Sequence, residues 1–196
     1  MPDLIWVDLE TGGFDPRGHD ILELAAIRTT GDGARVLGHL KALVLPADLE
    51  APRATEEALD LGGFDRERWE EDALPLREVL EAFARLAHGA VLAGHNVRFD
   101  RRFLTVASAR TGVLIETAPA PSVDTMDLAS PLKKRGEVDS VALGNLCRHF
   151  GIGDTEGEHT APVDVRNTVL LYRTLRDRFS AKAAAQARAR GQEGAA

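Results

Sequence analysis

Residues 4–13 read LIWVDLETGG, an apolar run that leads into two acids one residue apart, Asp8 and Glu10. The segment LIWVDL at residues 4–9 is almost wholly apolar, which is typical of a central strand buried on both faces. Alternate side chains of a strand point to the same face, so the two carboxylates are expected to lie side by side and repel each other. Two solvated acids at an exposed strand end would explain the pair equally well, so the pair alone leaves function open.

The apolar pattern beyond this strand predicts an α/β domain with a mixed sheet. Further strands are predicted at residues 21–30, 34–45, 90–94 and 122–125. The sequence GDG at 31–33 indicates a hairpin. Helices are predicted at residues 53–60, 74–87, 97–111, 125–132, 140–150 and 162–179. Three successive strands followed by alternating helices and strands give a mixed five-stranded sheet flanked by helices.

The composition is typical of one soluble globular domain. The chain has 196 residues, 44% of them apolar, and its single cysteine, Cys147, excludes an internal disulfide. No apolar run approaches the ~20 residues that cross a bilayer, and the acidic N-terminus is unlike a secretory signal. We therefore expect a cytoplasmic protein with no membrane partner. The net charge of −7 argues against wrapping long duplex nucleic acid, which takes many phosphate contacts, but not against gripping one strand end through metal ions.

A second acid-bearing segment, LAGHNVRFDRRFL, covers residues 92–104. A short buried strand is predicted to end before His95 and Asn96, and Asn96 is the expected N-cap of the helix that follows. Asp100 then falls in the first turn of that helix. Helix-dipole complementarity alone would explain an acid at this position.

A third segment, EHTAPVDVRNTVLLY at residues 158–172, is expected to bring another acid toward the core. Helical spacing puts Asp164 on the same face as Leu171 and Leu175. An acid on a core-facing stripe is costly unless it is paired or bound to a metal. His159 lies just before this helix, where an ordinary surface-loop position would also explain it.

Together the motifs DxE, HNxxFD and HxAxxD, in this order, resemble those of the DEDD 3′–5′ exonucleases. The similarity is to the DnaQ-like group whose last motif carries a histidine (DEDDh). It covers about residues 3–178, and the residues that carry it are Asp8, Glu10, Asp100, His159 and Asp164. The resemblance implies a ribonuclease H-like fold. It also implies an exonuclease catalytic domain at residues 1–178. The Ala/Arg-rich composition of residues 179–196 predicts a helical extension or a flexible tail.

The resemblance implies a metal-dependent 3′–5′ exonuclease that hydrolyses phosphodiester bonds at single-stranded 3′ ends and releases nucleoside monophosphates. Carboxylate oxygens select Mg²⁺ or Mn²⁺, and two such ions stabilise the attacking and leaving oxygens. By resemblance, Asp8 bridges both ions, Glu10 and Asp164 complete one of them, and Asp100 supports the other. His159 would take a proton from the attacking water.

The resemblance also implies substrate-binding roles near the terminal nucleotide for Thr11, Gly12, Phe14 and Asn96. Phe14 follows the first motif where the family has a hydrophobic wedge, although packing onto the fold would explain it equally well. The family commonly reads ETTG where this chain reads ETGG at 10–13. The second glycine predicts a flexible turn at the end of the first strand.

DNA proofreading or repair is one role that such an enzyme would serve. One alternative is a 3′–5′ exoribonuclease of the ribonuclease T or oligoribonuclease type. Another is a weakly active nucleic-acid-binding or polymerase-docking module on the same fold. The expected partners are the 3′ ends of single-stranded DNA or RNA, with a DNA polymerase and a second copy of the chain left open.

Overall fold

The computed structural model describes residues 1–153 and 160–193, and describes no side chain beyond residue 181. Its strands are β1 (Leu4–Thr11), β2 (Ile21–Thr29), β3 (Val36–Leu45), β4 (Leu74–Pro75), β5 (Val91–Gly94) and β6 (Val123–Asp124). They form a six-stranded sheet in the order β4-β3-β2-β1-β5-β6. The α/β class and the mixed sheet are confirmed. The two-residue edge strand β4 is additional to the five predicted strands.

Strand β1 lies in the interior of the sheet, antiparallel to β2 and parallel to β5. Strands β2 and β3 are antiparallel, whereas β5 and β6 run parallel to each other. The carboxyl ends of β1, β5 and β6 therefore meet at one edge of the sheet, which is where functional groups gather in α/β proteins.

Seven helices occur in the described part of the chain. They are α1 (Glu56–Leu61), α2 (Arg66–Asp72), α3 (Leu76–Ala87), α4 (Val97–Thr111), α5 (Thr125–Lys134), α6 (Leu143–Phe150) and α7 (Ala161–Glu193). Helix α4 has the predicted bounds. Helix α2 was not predicted. Helix α7 continues past residue 179, where a helical extension or a flexible tail was expected, to Glu193. None of the described helices is both long and apolar enough to cross a membrane.

One face of the sheet packs against α3 and α4. The odd-numbered residues of β1, Ile5, Val7 and Leu9, belong to this apolar cluster together with Phe83 of α3 and Phe103 of α4. Burying side chains of this size contributes roughly 1.5–3 kcal/mol each. This layer fixes the position of α4 against the end of β1.

The other face of the sheet packs against α7. Trp6 lies here, with its ring centroid 4.9 Å from that of Tyr172, and its indole N–H donates to Thr29 Oγ1 at 2.9 Å. Because side chains alternate along a strand, Asp8 and Glu10 continue this even-numbered face toward the start of α7. The sheet and α7 thus bring the first and third motifs to the same side.

A separate small apolar cluster covers the part of the sheet formed by β2 and β3. Trp69 of α2 is buried against Leu22 and Leu43, and its indole N–H donates to the Leu22 carbonyl at 3.2 Å. The ring centroids of Phe64 and Trp69 lie 4.9 Å apart. This single aromatic anchor holds α2 to the strands β2 and β3.

Candidate active site

Three carboxylates converge at the carboxyl end of β1. Oxygen atoms of Asp8, Glu10 and Asp164 all lie within 4.8 Å of one another, and the three residues are half-buried. Asp8 and Glu10 project from the same face of β1, whereas Asp164 comes from the first turn of α7. The structure therefore brings together two of the acid-bearing segments that the sequence separates by about 150 residues.

Asp100 lies beside this cluster, in the first turn of α4. It is 3% exposed, and its Oδ1 accepts a hydrogen bond from the Leu9 amide at 3.1 Å. Leu9 stands between Asp8 and Glu10, so this bond ties the second motif directly to the first. The negative charge of Asp100 also raises the pKa of Asp8.

Burial and mutual repulsion raise the pKa values of Asp8 and Glu10. Desolvation is the main cause of the raised pKa of Asp8, and the charges of Asp100, Asp164, Glu10 and Glu23 add to it. The pKa of Glu10 rises to about 7, again mainly through desolvation and then through the charges of Asp164 and Glu23. A bound cation would offset this repulsion, because an opposite charge at close range favours the ionised carboxylate.

Glu23 lies outside the three motifs, yet it belongs to the site. This residue lies opposite Glu10 in the β1–β2 register and is 4% exposed. Its Oε2 accepts a hydrogen bond from the Ala161 amide at 3.2 Å, at the first residue of α7. Glu23 therefore holds the start of the helix that carries Asp164. In the sequence, the feature that points to Glu23 is that it is the one acid in the otherwise apolar stretch ILELAAI at residues 21–27.

The turn after β1 is held firmly. The Gly12 amide donates to the Asp20 carbonyl at 2.9 Å, and the Gly12 carbonyl accepts from the Thr55 amide at 2.8 Å. A Cβ at Gly12 would lie 2.4 Å from the Arg53 carbonyl oxygen, and the Thr11 hydroxyl donates to the Gly13 carbonyl at 2.8 Å. Instead of the flexible turn expected from two glycines, Gly12 permits a close approach of two segments.

An ion pair between the buried Asp20 carboxylate and the partly exposed Arg53 fixes the segment that covers Gly12. Asp20 is 5% exposed and accepts hydrogen bonds from the Arg53 amide and from Arg53 Nε, each at 3.0 Å. Arg53 is in turn followed by Ala54 and Thr55, which lie against the turn. The geometry of the turn after β1 therefore depends on this pair.

Phe14 projects from this turn into solvent. It is 85% exposed, and the one ring contact described for it is an edge contact with Phe99, with 6.3 Å between the centroids. The expected alternative, in which Phe14 packs down onto the fold, is not what the structure has. Phe99 precedes Asp100 in the sequence, and its ring centroid lies 5.0 Å from that of Phe103. An exposed aromatic side chain thus stands at the rim of the acidic site.

Asn96 immediately precedes α4, but its side chain does not cap the helix. Its backbone is left-handed, with φ 61° and ψ 41°, and no side-chain capping bond forms. The predicted N-cap bond is therefore wrong, because capping requires an extended backbone at that position. The Asn96 amide instead donates to Asp124 Oδ1 at 2.9 Å. The Asn96 side chain is exposed beside the site.

His159 lies outside the described residues, so the structure does not place it. The four acids can be assessed alone as a site for a metal ion. Clustered carboxylates are hard oxygen donors, which suit Mg²⁺ or Mn²⁺, and the raised pKa values indicate a site that favours added positive charge. Asp8, Glu10 and Asp164 are the residues that would hold such an ion, with Asp100 next to them.

Comparison with known proteins identifies relatives that cover nearly the whole chain. Residues 5–172 match the family model RNase_T, described as Exonuclease. The chain is 32% identical over 178 residues to Ribonuclease T of Marinobacter nauticus, covering 85% of this chain and 78% of that protein. It is 30% identical over 161 residues to the PolC-type DNA polymerase III of Lactococcus lactis, covering 82% of this chain but only 9% of the polymerase.

Solved structures show the same fold. Exonuclease I of Methylocaldum szegediense aligns with a TM-score of 0.77 and 27% identity, covering 91% of this chain and 41% of that one. Exonuclease I of E. coli in complex with a 5cy-dT13 oligonucleotide aligns with a TM-score of 0.75 and 20% identity. This chain therefore spans less than half the length of the Exonuclease I proteins that it matches.

Proposed function

This chain belongs to the RNase_T exonuclease family, and we propose that it removes nucleotides from the 3′ ends of single-stranded nucleic acid. Membership in this DnaQ-like group makes it a 3′–5′ exonuclease and a hydrolase. The observation that carries the finer proposal is the convergence of Asp8, Glu10 and Asp164 within 4.8 Å. The proposed products are nucleoside monophosphates.

The reaction needs positive charge among these acids, as the family's metal dependence implies. Two Mg²⁺ or Mn²⁺ ions are the proposed cofactors, and when bound they would stabilise the attacking and leaving oxygens of the phosphodiester. In the proposal, Asp8 would be a ligand shared by both ions. Glu10 and Asp164 would hold one of them, and Asp100 would support the other. The hydrogen bond from the Leu9 amide to Asp100 keeps the two acid-bearing segments in a fixed relation, so the site is organised before substrate binds.

His159 is the proposed general base, which accepts a proton from the attacking water. The unperturbed pKa of histidine, about 6.5, suits this role near neutral pH. In the sequence His159 precedes Thr160, which begins the described segment leading into α7. Its closeness to Asp164 along the chain supports the assignment.

Four further residues are proposed to bind the terminal nucleotide. Phe14 would stack on the terminal base, an interaction worth about 1–3 kcal/mol that tolerates any base; its 85% exposure supports this role. Thr11, Gly12 and Asn96 would form the edge of the nucleotide pocket. Gly12 contributes shape alone, since its amide and carbonyl are already bonded within the protein.

The direct test is digestion of 5′-labelled single-stranded oligomers, with matched DNA and RNA sequences, in Mg²⁺ or Mn²⁺. A ladder that shortens from the 3′ end supports the proposal, and the relative rates identify the preferred polymer. A protein that shortens neither polymer with either metal would instead be a binding module on this fold. Asp8→Asn serves as the matched inactive variant and excludes a contaminating nuclease.

The cellular setting is also a proposal. The similarity to part of a PolC-type polymerase supports a DNA polymerase as a partner, and proofreading or repair as the role. The similarity to Ribonuclease T supports RNA trimming equally. We propose residues 1–178 as the catalytic domain and 179–196 as an extension. The single, buried and unpaired Cys147 suits a reducing cytoplasmic setting.

A further inference from the structure

Three arginines form a positively charged surface next to the acidic site. Arg17, Arg101 and Arg102, called here the arginine patch, line one concave surface together with Pro16 and Thr105. All three arginines are exposed. Among residues 1–153 and 160–181, none of the three is in an ion pair, whereas the neighbouring Arg98 pairs with Asp127 at 2.5 Å. The patch therefore keeps its charge available in a chain whose net charge is −7.

The patch is built into the same elements that form the acidic site. Arg101 and Arg102 follow Asp100 directly on α4, and both are exposed whereas Asp100 is buried. Arg17 is presented by the turn between β1 and β2. Its amide donates to Asp15 Oδ1 at 3.0 Å, and its carbonyl accepts from Arg53 Nη1 at 3.5 Å. The backbone positions that carry the patch therefore belong to the same elements as the carboxylates.

Aromatic side chains connect the patch to the site. Phe14 contacts Phe99 edge-on at 6.3 Å, and the Arg102 guanidinium lies 5.8 Å from the centre of the Phe99 ring. The exposed Phe14 ring is therefore connected through Phe99 to the guanidinium groups of the arginine patch. Aromatic rings followed by positive charge are the combination that binds single-stranded nucleic acid without sequence preference.

We propose that the arginine patch binds the phosphate backbone of the strand on the 5′ side of the terminal nucleotide, so that the enzyme favours long single strands over very short ones. The inference rests on the proposed function and adds to it a length preference with its own residues. Guanidinium groups bind phosphate oxygens with paired donors. The ligand is the phosphodiester backbone that DNA and RNA share.

The test compares 12-mers with dinucleotides. The double variant Arg101→Gln/Arg102→Gln and the single variant Arg17→Gln are assayed on oligo-dT and oligo-rU of both lengths. We expect the double variant to lower the ratio of kcat/KM for the 12-mer over that for the dinucleotide by about tenfold, mainly through KM. A plot of log(kcat/KM) against log[salt] should also have a shallower slope for the double variant. The slope should change by about 0.7 for each phosphate group that the variant no longer binds.

The matched control is Arg35→Gln/Arg85→Gln, which removes two exposed arginines elsewhere on the molecule. An equal loss in the control, an equal loss on both substrate lengths, or an unchanged salt dependence would each overturn the inference.

Binding of fluorescent T12 to the metal-free protein separates this inference from the proposed function. Weaker binding by the double variant, without a matching loss in the control, supports the patch. Unchanged binding overturns it. If the unaltered protein binds T12 through the patch but releases no nucleotide from any substrate, the exonuclease proposal fails while the patch stands.

Discussion

Asp8 lies among four other acids, and the cost of keeping it ionised comes first from its burial and then from the charges of those neighbours. Replacing it with asparagine removes one charge and keeps the size of the side chain. Without metal, Asp8→Asn should raise the melting temperature, corresponding to about 1–3 kcal/mol, the usual cost of an uncompensated buried polar group. With Mg²⁺ it should abolish most cleavage.

Thermal melts in EDTA and the digestion assay check both parts of this prediction. Asp60→Asn, at an exposed position of α1, is the control and should change neither quantity. A melting temperature that is unchanged or lower in Asp8→Asn would show that these acids do not repel one another as the geometry indicates.

The proposed role of His159 as general base follows from its place in the third motif. If it is the general base, His159→Ala should lower kcat by about 10²–10⁴-fold. The fall in activity below about pH 6.5, where histidine takes up a proton, should also disappear. Measuring kcat across pH 5.5–8.5 for the variant and the unaltered protein checks this. A variant that keeps the acid limb would assign that limb to another group.

Gly12 illustrates how one missing side chain sets the shape of the turn. Gly12→Ala would place a Cβ 2.4 Å from the Arg53 carbonyl oxygen and 2.6 Å from Ala54 Cβ. We expect a loss of about 1–3 kcal/mol in the free energy of unfolding, as for other overpacked positions. Urea unfolding measures it.

Gly144→Ala on α6 is the matched control, because nothing lies within 4 Å of its Cβ position. That change should be neutral or stabilising by up to about 1 kcal/mol. Equal stability of the two variants would contradict the close approach at Gly12.

Residue types and spacing identified the acids of the motifs but not Glu23. Asp8, Glu10, Asp100 and Asp164 each stand in a recognisable motif at a strand end or helix start. Glu23 becomes notable only when the β1–β2 register sets it opposite Glu10, and that register cannot be read from a single strand.

At the scale of elements, the start of α7 depends on an acceptor supplied by β2. Glu23 accepts from the Ala161 amide and also adds negative charge beside Glu10. Glu23→Gln keeps an acceptor and removes the charge, so it should stabilise the metal-free protein. Glu23→Ala removes both, so it should be less stable than Glu23→Gln by about 1 kcal/mol, the usual cost when a helix loses its N-cap.

Melts in EDTA, with nucleotide release assayed in parallel, separate these two effects. We expect Glu23→Gln to retain more activity than Glu23→Ala, because it can still hold the helix that carries Asp164. The opposite ranking in activity would mean that the charge of Glu23, rather than its hydrogen bond, serves the site.

The helices and strands that could be predicted are those whose own residues show both a regular apolar face and a residue that ends the element. Helix α4 has predictable bounds because its apolar face is regular and Gly112, with φ 71°, ends it. Helix α2 buries only Trp69, which is too little for an amphipathic pattern. Strand β4 has two residues and is defined by its pairing with β3. The predicted helix at 74–87 therefore began two residues too early, because it included this strand.

At the scale of the whole molecule, the acidic site makes stability depend on pH. The pKa of Glu10 is raised from 4.5 to about 7, so between these values the native state binds more protons than the unfolded state. The free energy of unfolding of the metal-free protein should therefore fall as pH rises from about 4.5 to 7. For this one group the fall amounts to at most about 3 kcal/mol.

Urea unfolding in EDTA at a series of pH values measures this slope. Glu10→Gln should flatten it, and saturating Mg²⁺ should raise stability most at the high-pH end, because the ion binds the ionised acids and releases protons. Stability that increases with pH over this range in the metal-free protein would be inconsistent with the raised pKa of Glu10.

The two tryptophans of the chain give each side of the sheet its own optical signal. Trp6 is buried between β1 and α7, and Trp69 is buried under α2 against β2 and β3. Both indoles are shielded from water, so both should emit at short wavelength in the native protein and shift to the red on exposure. Single-tryptophan variants, Trp6→Phe and Trp69→Phe, would therefore show by fluorescence whether the layer that supports the acidic site melts together with the outer edge of the sheet or before it.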